Sequence, residues 1–151
     1  MTLFASEALE QYRAKRQWSV IYDKLKQYNF YPNAKQVLVQ LRNQGIKVAI
    51  VTNAPQSYVS RALIYHGVSV DYLVAYHDVH RHKPDPEGIF KVINTFSLKH
   101  DEVVYVGDND IDQRTASNAN IAFIGIEWGN FSDRTIAKVN YLNLISYIQN
   151  N

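Results

Sequence analysis

The segment VVYVGDNDID, residues 103–112, decides the fold of this chain. It starts as a short β-branched run and ends in a glycine, which is followed at once by three carboxylates: Asp108, Asp110 and Asp112. A short apolar run of this kind is typical of a strand that is buried on both faces of a parallel sheet. Ligands of such sheets bind where the strands end, so the three carboxylates mark a candidate site.

These carboxylates have two interpretations. Asp108 at the strand end and Asp112 one turn into the next helix can share one Mg²⁺ ion, which proteins bind through one or two carboxylates, water and phosphate. Asp110 fits the helix N-terminus, where a carboxylate interacts favourably with the helix dipole. In the alternative, all three merely cap the helix. Electrostatic repulsion between the clustered carboxylates destabilises that arrangement and favours a bound metal ion.

Outward from this segment, buried strands alternate with amphipathic helices. The patterns predict helices near residues 6–28, 34–45, 56–66, 87–96, 111–118 and 141–149, and strands near 46–52, 72–76, 102–107 and 121–128. This alternation predicts an α/β fold with a parallel sheet covered on both sides. With 151 residues, the chain suits a single domain.

Composition excludes several classes of function. The formal net charge is only +2 and no run of Lys and Arg exceeds two residues, so the sequence offers no electrostatic footprint for nucleic acid. There is no cysteine, which excludes thiolate chemistry. We find neither a signal-peptide pattern nor an apolar stretch of about 20 residues, and therefore expect a cytoplasmic protein that does not enter membranes.

Polar residues also follow the other predicted strands. Thr52 and Asn53 come directly after the strand near 46–52 and just before a helix, where a hydroxyl, an amide and free backbone N–H groups suit a phosphate oxygen. The alternative is that either residue merely caps that helix. Lys83 lies before Pro84 on an extended loop and could reach an anion at the strand ends, although most lysines are simply solvated.

The same loop carries three histidines. His77, His80 and His82 invite a metal interpretation, but structural metal sites need three or four ligands. Solvent-exposed loop histidines are the favoured interpretation.

In this order, the segments resemble the haloacid dehalogenase (HAD) superfamily, nearest to its phosphoglycolate-phosphatase-like branch. FYPNAKQVLVQLRNQGIKVAIVTNAP (30–55) is similar to the second motif of that family and implies Thr52 as a phosphate ligand. RHKPDPEGIF (81–90) is similar to the third and implies Lys83 as the phosphate-binding lysine. VVYVGDNDID matches the fourth, GDxxxD, which implies Asp108 and Asp112 as Mg²⁺ carboxylates. The implied fold is a three-layer α/β/α Rossmann-like core.

The family's first motif, the aspartate pair DxDx[TV] that supplies nucleophile and general acid/base, has no match in these residues. Asp23 follows Val-Ile-Tyr and is the one tempting substitute, but Leu25 occupies the place of the second aspartate. Residues 6–30 resemble instead the last helix of the family's cap domain, and residues 31–151 its core. The resemblance therefore implies a core without its central first strand.

That gap has a physical cost. Two inner strands would be left with unpaired N–H and C=O groups, each costing about 1–3 kcal/mol when buried. We therefore expect one of three outcomes: the strands near 46–52 and 102–107 pair directly, another segment of the chain fills the gap, or a protein partner or second copy donates a strand.

Chemistry is affected as well. Phosphoryl transfer through an aspartyl-phosphate needs a carboxylate in line with the leaving group. The sequence therefore predicts a binding or regulatory protein with a residual pocket for Mg²⁺ and a phosphorylated small molecule, and without efficient turnover. The alternative is a Mg²⁺-dependent phosphatase whose nucleophile comes from a partner chain or from Asp23.

Overall fold

A computed structural model describes residues 19–20, 31, 33–136 and 138–150. Five α-helices lie in this part of the chain: α1 (Ala34–Asn43), α2 (Gln56–Tyr65), α3 (Glu87–Phe96), α4 (Asp110–Asn118) and α5 (Tyr141–Asn150). Each was predicted from the sequence to within two residues at both ends. Of the helix predicted near residues 6–28, only Ser19 and Val20 are described, and both are helical. Asp23 and the rest of that prediction lie outside the described residues.

The strands are β1 (Ala49–Val51), β2 (Tyr72–Val74), β3 (Val104–Asn109), β4 (Ala122–Asn130) and β5 (Lys138–Val139). Short 3₁₀ turns at Tyr76–Asp78 and His100–Glu102 complete the described elements. The sequence predicted the first four strands and missed β5, which is too short to show a hydrophobic period. It also placed the end of β2 two residues late, because the chain turns at Tyr76 into the first 3₁₀ turn.

The strands form two parallel sheets rather than one. In the first sheet β1 pairs with β2, and in the second β3, β4 and β5 lie side by side in that order. Helices cover both faces: the core beneath α1, α2 and α5 includes Ile50 and Ile126, while the core beneath α3 and α4 includes Tyr105. The predicted three-layer α/β architecture is confirmed.

A cleft lies between β1 and β3, where the two sheets face each other. It has a volume of about 140 Å³ and is lined by both strands and by the apolar faces of α1 and α5. Ile50 and Tyr105 are buried, but Val51, Val104 and Val106 beside the cleft are only half-buried. Strands at the centre of a doubly covered sheet are normally buried on both faces, so this part of the sheet is incompletely covered.

The expectation that these two strands pair directly is therefore wrong. The cleft keeps β1 and β3 in separate sheets, and no other described segment is hydrogen-bonded between them. The cost of unpaired backbone groups is reduced because the strands beside the cleft retain contact with water. The Tyr105 side chain bridges the gap at its carboxyl end, where its hydroxyl oxygen lies 3.3 Å from the Val51 carbonyl oxygen, within hydrogen-bonding distance.

Candidate functional site

Lys83 and Asp112 form a buried ion pair at the carboxyl ends of β1 and β3. Lys83 Nζ lies 2.6 Å from Asp112 Oδ1, and their side chains are only 11% and 1% exposed. Lys83 is therefore no solvated surface lysine. Its loop reaches across the strand ends, as its position before Pro84 predicted, and the Lys83–Pro84 peptide bond is cis.

Both oxygens of Asp112 are hydrogen-bonded. Oδ1 accepts from Lys83, and Oδ2 accepts from the backbone N–H of Asp108 at 3.1 Å. Burial raises the pKa of Asp112, but nearby positive charge, the Lys83 ammonium included, together with these hydrogen bonds holds the pKa well below its ordinary value. Asp112 is thus ionised at neutral pH and pairs with the Lys83 ammonium.

The Tyr105 hydroxyl contacts both members of this ion pair. It accepts from Lys83 Nζ at 3.3 Å, and its single proton can go either to Asp112 Oδ1 at 3.2 Å or to the Val51 carbonyl. Burial raises the pKa of Tyr105 well above its ordinary value, and the Asp112 carboxylate adds to that effect. The hydroxyl therefore stays protonated. Sequence reasoning missed this role, since Tyr105 reads there only as an apolar strand residue.

Gly107 and Asn109 place Asp112. A Cβ on Gly107 would lie 2.3 Å from the Asp112 Cβ, so only glycine lets the helix start this close to the strand. The Asn109 side chain accepts from the backbone N–H groups of Ile111 and Asp112 and caps α4. Asp110 occupies the first turn, as predicted, and accepts from the Ser132 backbone N–H at 2.8 Å. The cap itself is Asn109, so the interpretation in which all three carboxylates cap the helix is wrong.

Thr52 and Asn53 do not cap α2 either. The residue at the cap position is Pro55, and no side-chain oxygen caps that helix. The Thr52 hydroxyl accepts from the Ala54 N–H at 3.1 Å. The Asn53 amide pairs with the Lys83 backbone, because its oxygen accepts the Lys83 N–H at 3.2 Å and its nitrogen donates to the Lys83 carbonyl at 3.3 Å. Asn53 therefore holds the loop that carries the lysine.

Of the two carboxylates predicted to bind Mg²⁺, Asp108 is the one with an oxygen that remains available. This half-buried carboxylate accepts from Asn109 Nδ2 at 3.0 Å through Oδ1, while Oδ2 accepts no hydrogen bond from the described part of the chain. Asp112, the second predicted ligand, has both oxygens engaged. No cluster of three or more metal-ligating side chains occurs among the described residues. A single carboxylate completed by water and phosphate is nevertheless a normal Mg²⁺ environment.

The loop histidines divide into two kinds. His77 and His80 are exposed, as predicted. His82 is half-buried, with its ring centroid 3.9 Å from that of Tyr76, which corrects the prediction for this residue.

Lys83, Tyr105, Asp108 and Asp112 lie together at the carboxyl ends of parallel strands that helices cover, which is where proteins of the α/β class bind their ligands. The family model of the haloacid dehalogenase-like hydrolases matches residues 3–126. The chain belongs to this family, and the resemblance drawn from its motifs is confirmed.

Curated relatives carry phosphatase names. A phosphoglycolate phosphatase of Pectobacterium atrosepticum is 33% identical over 98 residues, covering 63% of this chain and 42% of that protein. A phosphoglycolate phosphatase of Pseudomonas fluorescens is 26% identical over 132 residues, covering 86% of this chain and 45% of that protein. The chain thus spans about half the length of the curated relatives that it matches.

Solved structures share the fold. The structure of a Haemophilus somnus protein that is described as a predicted phosphoglycolate phosphatase aligns with a TM-score of 0.79 at 24% identity. The alignment covers 96% of this chain and 69% of that one. A HAD-superfamily hydrolase of Geobacter sulfurreducens aligns with a TM-score of 0.76 at 18% identity, covering 95% and 68%. No helix in the described part of the chain combines the length and apolar character needed to span a membrane.

Proposed function

We propose that this chain is a cytoplasmic phosphate-binding protein of the HAD type, which acts as a binding or regulatory protein and not as an efficient phosphatase. The observation that carries the proposal is the Lys83 ammonium, fixed by buried Asp112 at 2.6 Å at the end of the cleft. Thr52, Asn53 and Lys83 are the proposed phosphate ligands, and Asp108 is the proposed Mg²⁺ ligand.

Electrostatics support binding. Asp112 holds the ammonium in place before any ligand arrives, so little side-chain entropy is lost when an anion binds. The Asn53 amide fixes the backbone of the same lysine. A bound Mg²⁺ ion would neutralise part of the phosphate charge beside Asp108.

These residues do not supply a nucleophile that could attack the phosphorus atom of a substrate. Asp112 has both oxygens hydrogen-bonded, and in our proposal Asp108 holds the cation. Neither carboxylate is therefore available to attack phosphorus in line with a leaving group. The sequence contains no DxDx[TV] pair that would supply one.

The second candidate is a Mg²⁺-dependent phosphatase of phosphoric monoesters. The observation in its favour is that the Lys83–Asp112 pair and Asp108 are assembled at one edge, and that the relatives are named phosphoglycolate phosphatases. Its nucleophile would come from a partner chain or from Asp23.

Thermal unfolding and a phosphatase assay separate the two. We expect inorganic phosphate with MgCl₂ to raise the Tm of the full chain, with a smaller rise for Asp108→Asn and an unchanged rise for exposed Asp101→Asn. Hydrolysis of p-nitrophenyl phosphate is expected to stay at background. Turnover that is lost in Asp108→Asn and retained in Asp101→Asn would overturn the binding function in favour of the enzyme, as would turnover that is lost in Asp23→Asn.

A further inference from the structure

We propose that Tyr105 is a positioning residue that couples the binding of phosphate at this site to the binding of Mg²⁺. It acts through Lys83 and Val51, which its hydroxyl contacts, and not by touching either ligand. The inference deepens the proposed function and rests on it, because it concerns how the two proposed ligands bind together.

The residues of the site belong to two different sheets. Thr52, Asn53 and Lys83 follow β1 and β2 of the first sheet, and we call them the phosphate side. Asp108 and Asp112 lie on β3 and at the start of α4, next to the second sheet, and we call them the cation side. Among the described residues, no strand pairing joins the two sheets. The relative position of the two sides therefore depends on side-chain contacts and on helix packing.

The Tyr105 hydroxyl lies where the two sides meet. Its oxygen is 3.3 Å from Lys83 Nζ and 3.3 Å from the Val51 carbonyl oxygen, both on the first sheet's side. The same oxygen is 3.2 Å from Asp112 Oδ1 on the cation side. Val51 directly precedes Thr52, so the hydroxyl also contacts the end of β1 that carries a proposed phosphate ligand.

The ring of Tyr105 holds this hydroxyl in place. The residue is only 9% exposed, and it packs in the core beneath α3 and α4 with Ile89, Ile93 and Ala116. Side chains that are enclosed in a core in this way stay in one rotamer. The hydroxyl is therefore positioned before a ligand arrives, and its contacts need no further ordering when the ligand binds.

The Lys83 ammonium is oriented by two acceptors. An ammonium has three N–H donors. One donates to Asp112 Oδ1 at 2.6 Å and a second to the Tyr105 hydroxyl at 3.3 Å, and Lys83 Nζ makes no third hydrogen bond within the described part of the chain. With two donors held, rotation about the Cε–Nζ bond is restricted, and the third N–H has one direction in which to meet a phosphate oxygen. Without the hydroxyl, only Asp112 would hold the ammonium.

The charges of the site link the two ligands. The charges of Lys83 and Asp112 cancel each other, so the Asp108 carboxylate leaves the group negative. A phosphate is repelled by this charge until a cation is bound at Asp108. We therefore expect each ligand to raise the affinity for the other by the same factor. That factor depends on the distance between the phosphate side and Asp108, which the Tyr105 hydroxyl helps to fix.

Calorimetric titration of the full chain with inorganic phosphate, with and without MgCl₂, tests the inference. The quantity of interest is the coupling ratio, which is the phosphate Kd without MgCl₂ divided by the Kd with it. We expect a ratio of about ten in the wild type. In Tyr105→Phe, which keeps the ring and removes the hydroxyl, we expect a ratio of about three, with the affinity in MgCl₂ lowered about fivefold.

Asn118→Ala is the matched control. Asn118 Nδ2 donates to the Pro84 carbonyl at 2.9 Å, so it also joins α4 to the loop of Lys83, but it is exposed and does not contact the ammonium. Its coupling ratio should equal that of the wild type. A merely structural loss in Tyr105→Phe would weaken both Kd values equally, so an unchanged ratio in that variant overturns the inference. An equal fall of the ratio in both variants also overturns it.

The NMR signals of the Tyr105 ring in the wild type give a second readout, which serves if Tyr105→Phe does not fold. We expect phosphate and MgCl₂ together to shift them by more than the sum of the shifts with each alone. Additive shifts overturn the inference. Phosphate binding by the wild type that is equal with and without MgCl₂ overturns the inference alone, whereas the absence of phosphate binding under both conditions overturns the proposed function as well.

Discussion

Lys83 and Asp112 lie 29 residues apart in sequence and 2.6 Å apart in space. The pair joins the loop after β2 to the helix after β3, at a place where no backbone hydrogen bonds of the described residues join the two sheets. The site and the stability of the fold therefore depend on the same contact.

Breaking this pair should destabilise the chain strongly. Lys83→Met leaves a buried carboxylate without its cation, which costs about 3–5 kcal/mol of the free energy of unfolding. Replacing both partners with apolar residues, Lys83→Met with Asp112→Leu, should recover part of that loss. Urea titration of the wild type, of Lys83→Met and of the double variant measures the three free energies of unfolding.

The matched control is the exposed pair of Arg81 and Asp85, whose Nε–Oδ2 distance is 3.3 Å and whose arginine side chain is 75% exposed. Arg81→Gln should cost no more than about 1 kcal/mol. A loss for Lys83→Met as small as that of the control would contradict the structure.

The pH dependence of stability should report on Asp112. Its pKa is lower in the folded chain than in the unfolded one, so its contribution is complete above about pH 5 and declines as the pH falls below about 4. The difference in free energy of unfolding between wild type and Asp112→Asn should therefore shrink from pH 6 to pH 3. A difference that stays constant over this range would show that the ordinary pKa is retained. Urea titrations at each pH supply the values.

Gly107→Ala should damage the site from within the strand. The new Cβ would meet the Asp112 Cβ at 2.3 Å, so the helix or the carboxylate must move away. We expect a loss of about 1–3 kcal/mol, together with a weaker Tm rise on adding phosphate. Gly45→Asn is the control, because Gly45 has φ +81° with nothing within 4 Å of an added Cβ, and asparagine tolerates that region. Similar losses in both variants would argue against the close approach.

Asn53→Ala should separate binding from folding. The exposed Asn53 amide holds the Lys83 backbone through two hydrogen bonds, so its loss should lower phosphate affinity by about five- to tenfold, or about 1–1.4 kcal/mol. The free energy of unfolding should change little. Titration calorimetry with phosphate and MgCl₂ measures the affinity, and exposed Asn94→Ala on α3 is the control. Unchanged affinity in Asn53→Ala would mean that the loop is held by other contacts.

Local patterns predicted most of the elements. Helix α3 lies at its predicted bounds, and its residues Ile89, Val92 and Ile93 are buried together, as the amphipathic pattern of a surface helix predicts. The parallel arrangement followed from the alternation of strands and helices. The two-sheet arrangement did not, since pairing between β1 and β3 depends on what lies between them and not on either sequence.

The sequence motifs predicted which residues belong to the site, but they did not predict the contacts between those residues. Thr52, Asn53, Lys83, Asp108 and Asp112 are the residues that motifs indicated, and four of these five are linked by hydrogen bonds. No sequence pattern indicated that Lys83 would bind Asp112 directly. The roles of Tyr105 and Gly107 were missed for a related reason. Each depends on a neighbour brought close only by the tertiary fold, such as the Val51 carbonyl, 54 residues from Tyr105 in sequence.

The cleft between β1 and β3, a seam where no backbone ladder joins the two sheets, has a consequence for the cooperativity of unfolding. A continuous sheet transmits unfolding from strand to strand through its backbone ladder, whereas here the halves communicate through side chains and through helix packing between α1 and α5. We therefore expect one half to be able to open at a lower free energy than the whole chain, although a single apolar core contacts both sheets. Whatever tightens the seam would convert two loosely coupled transitions into one.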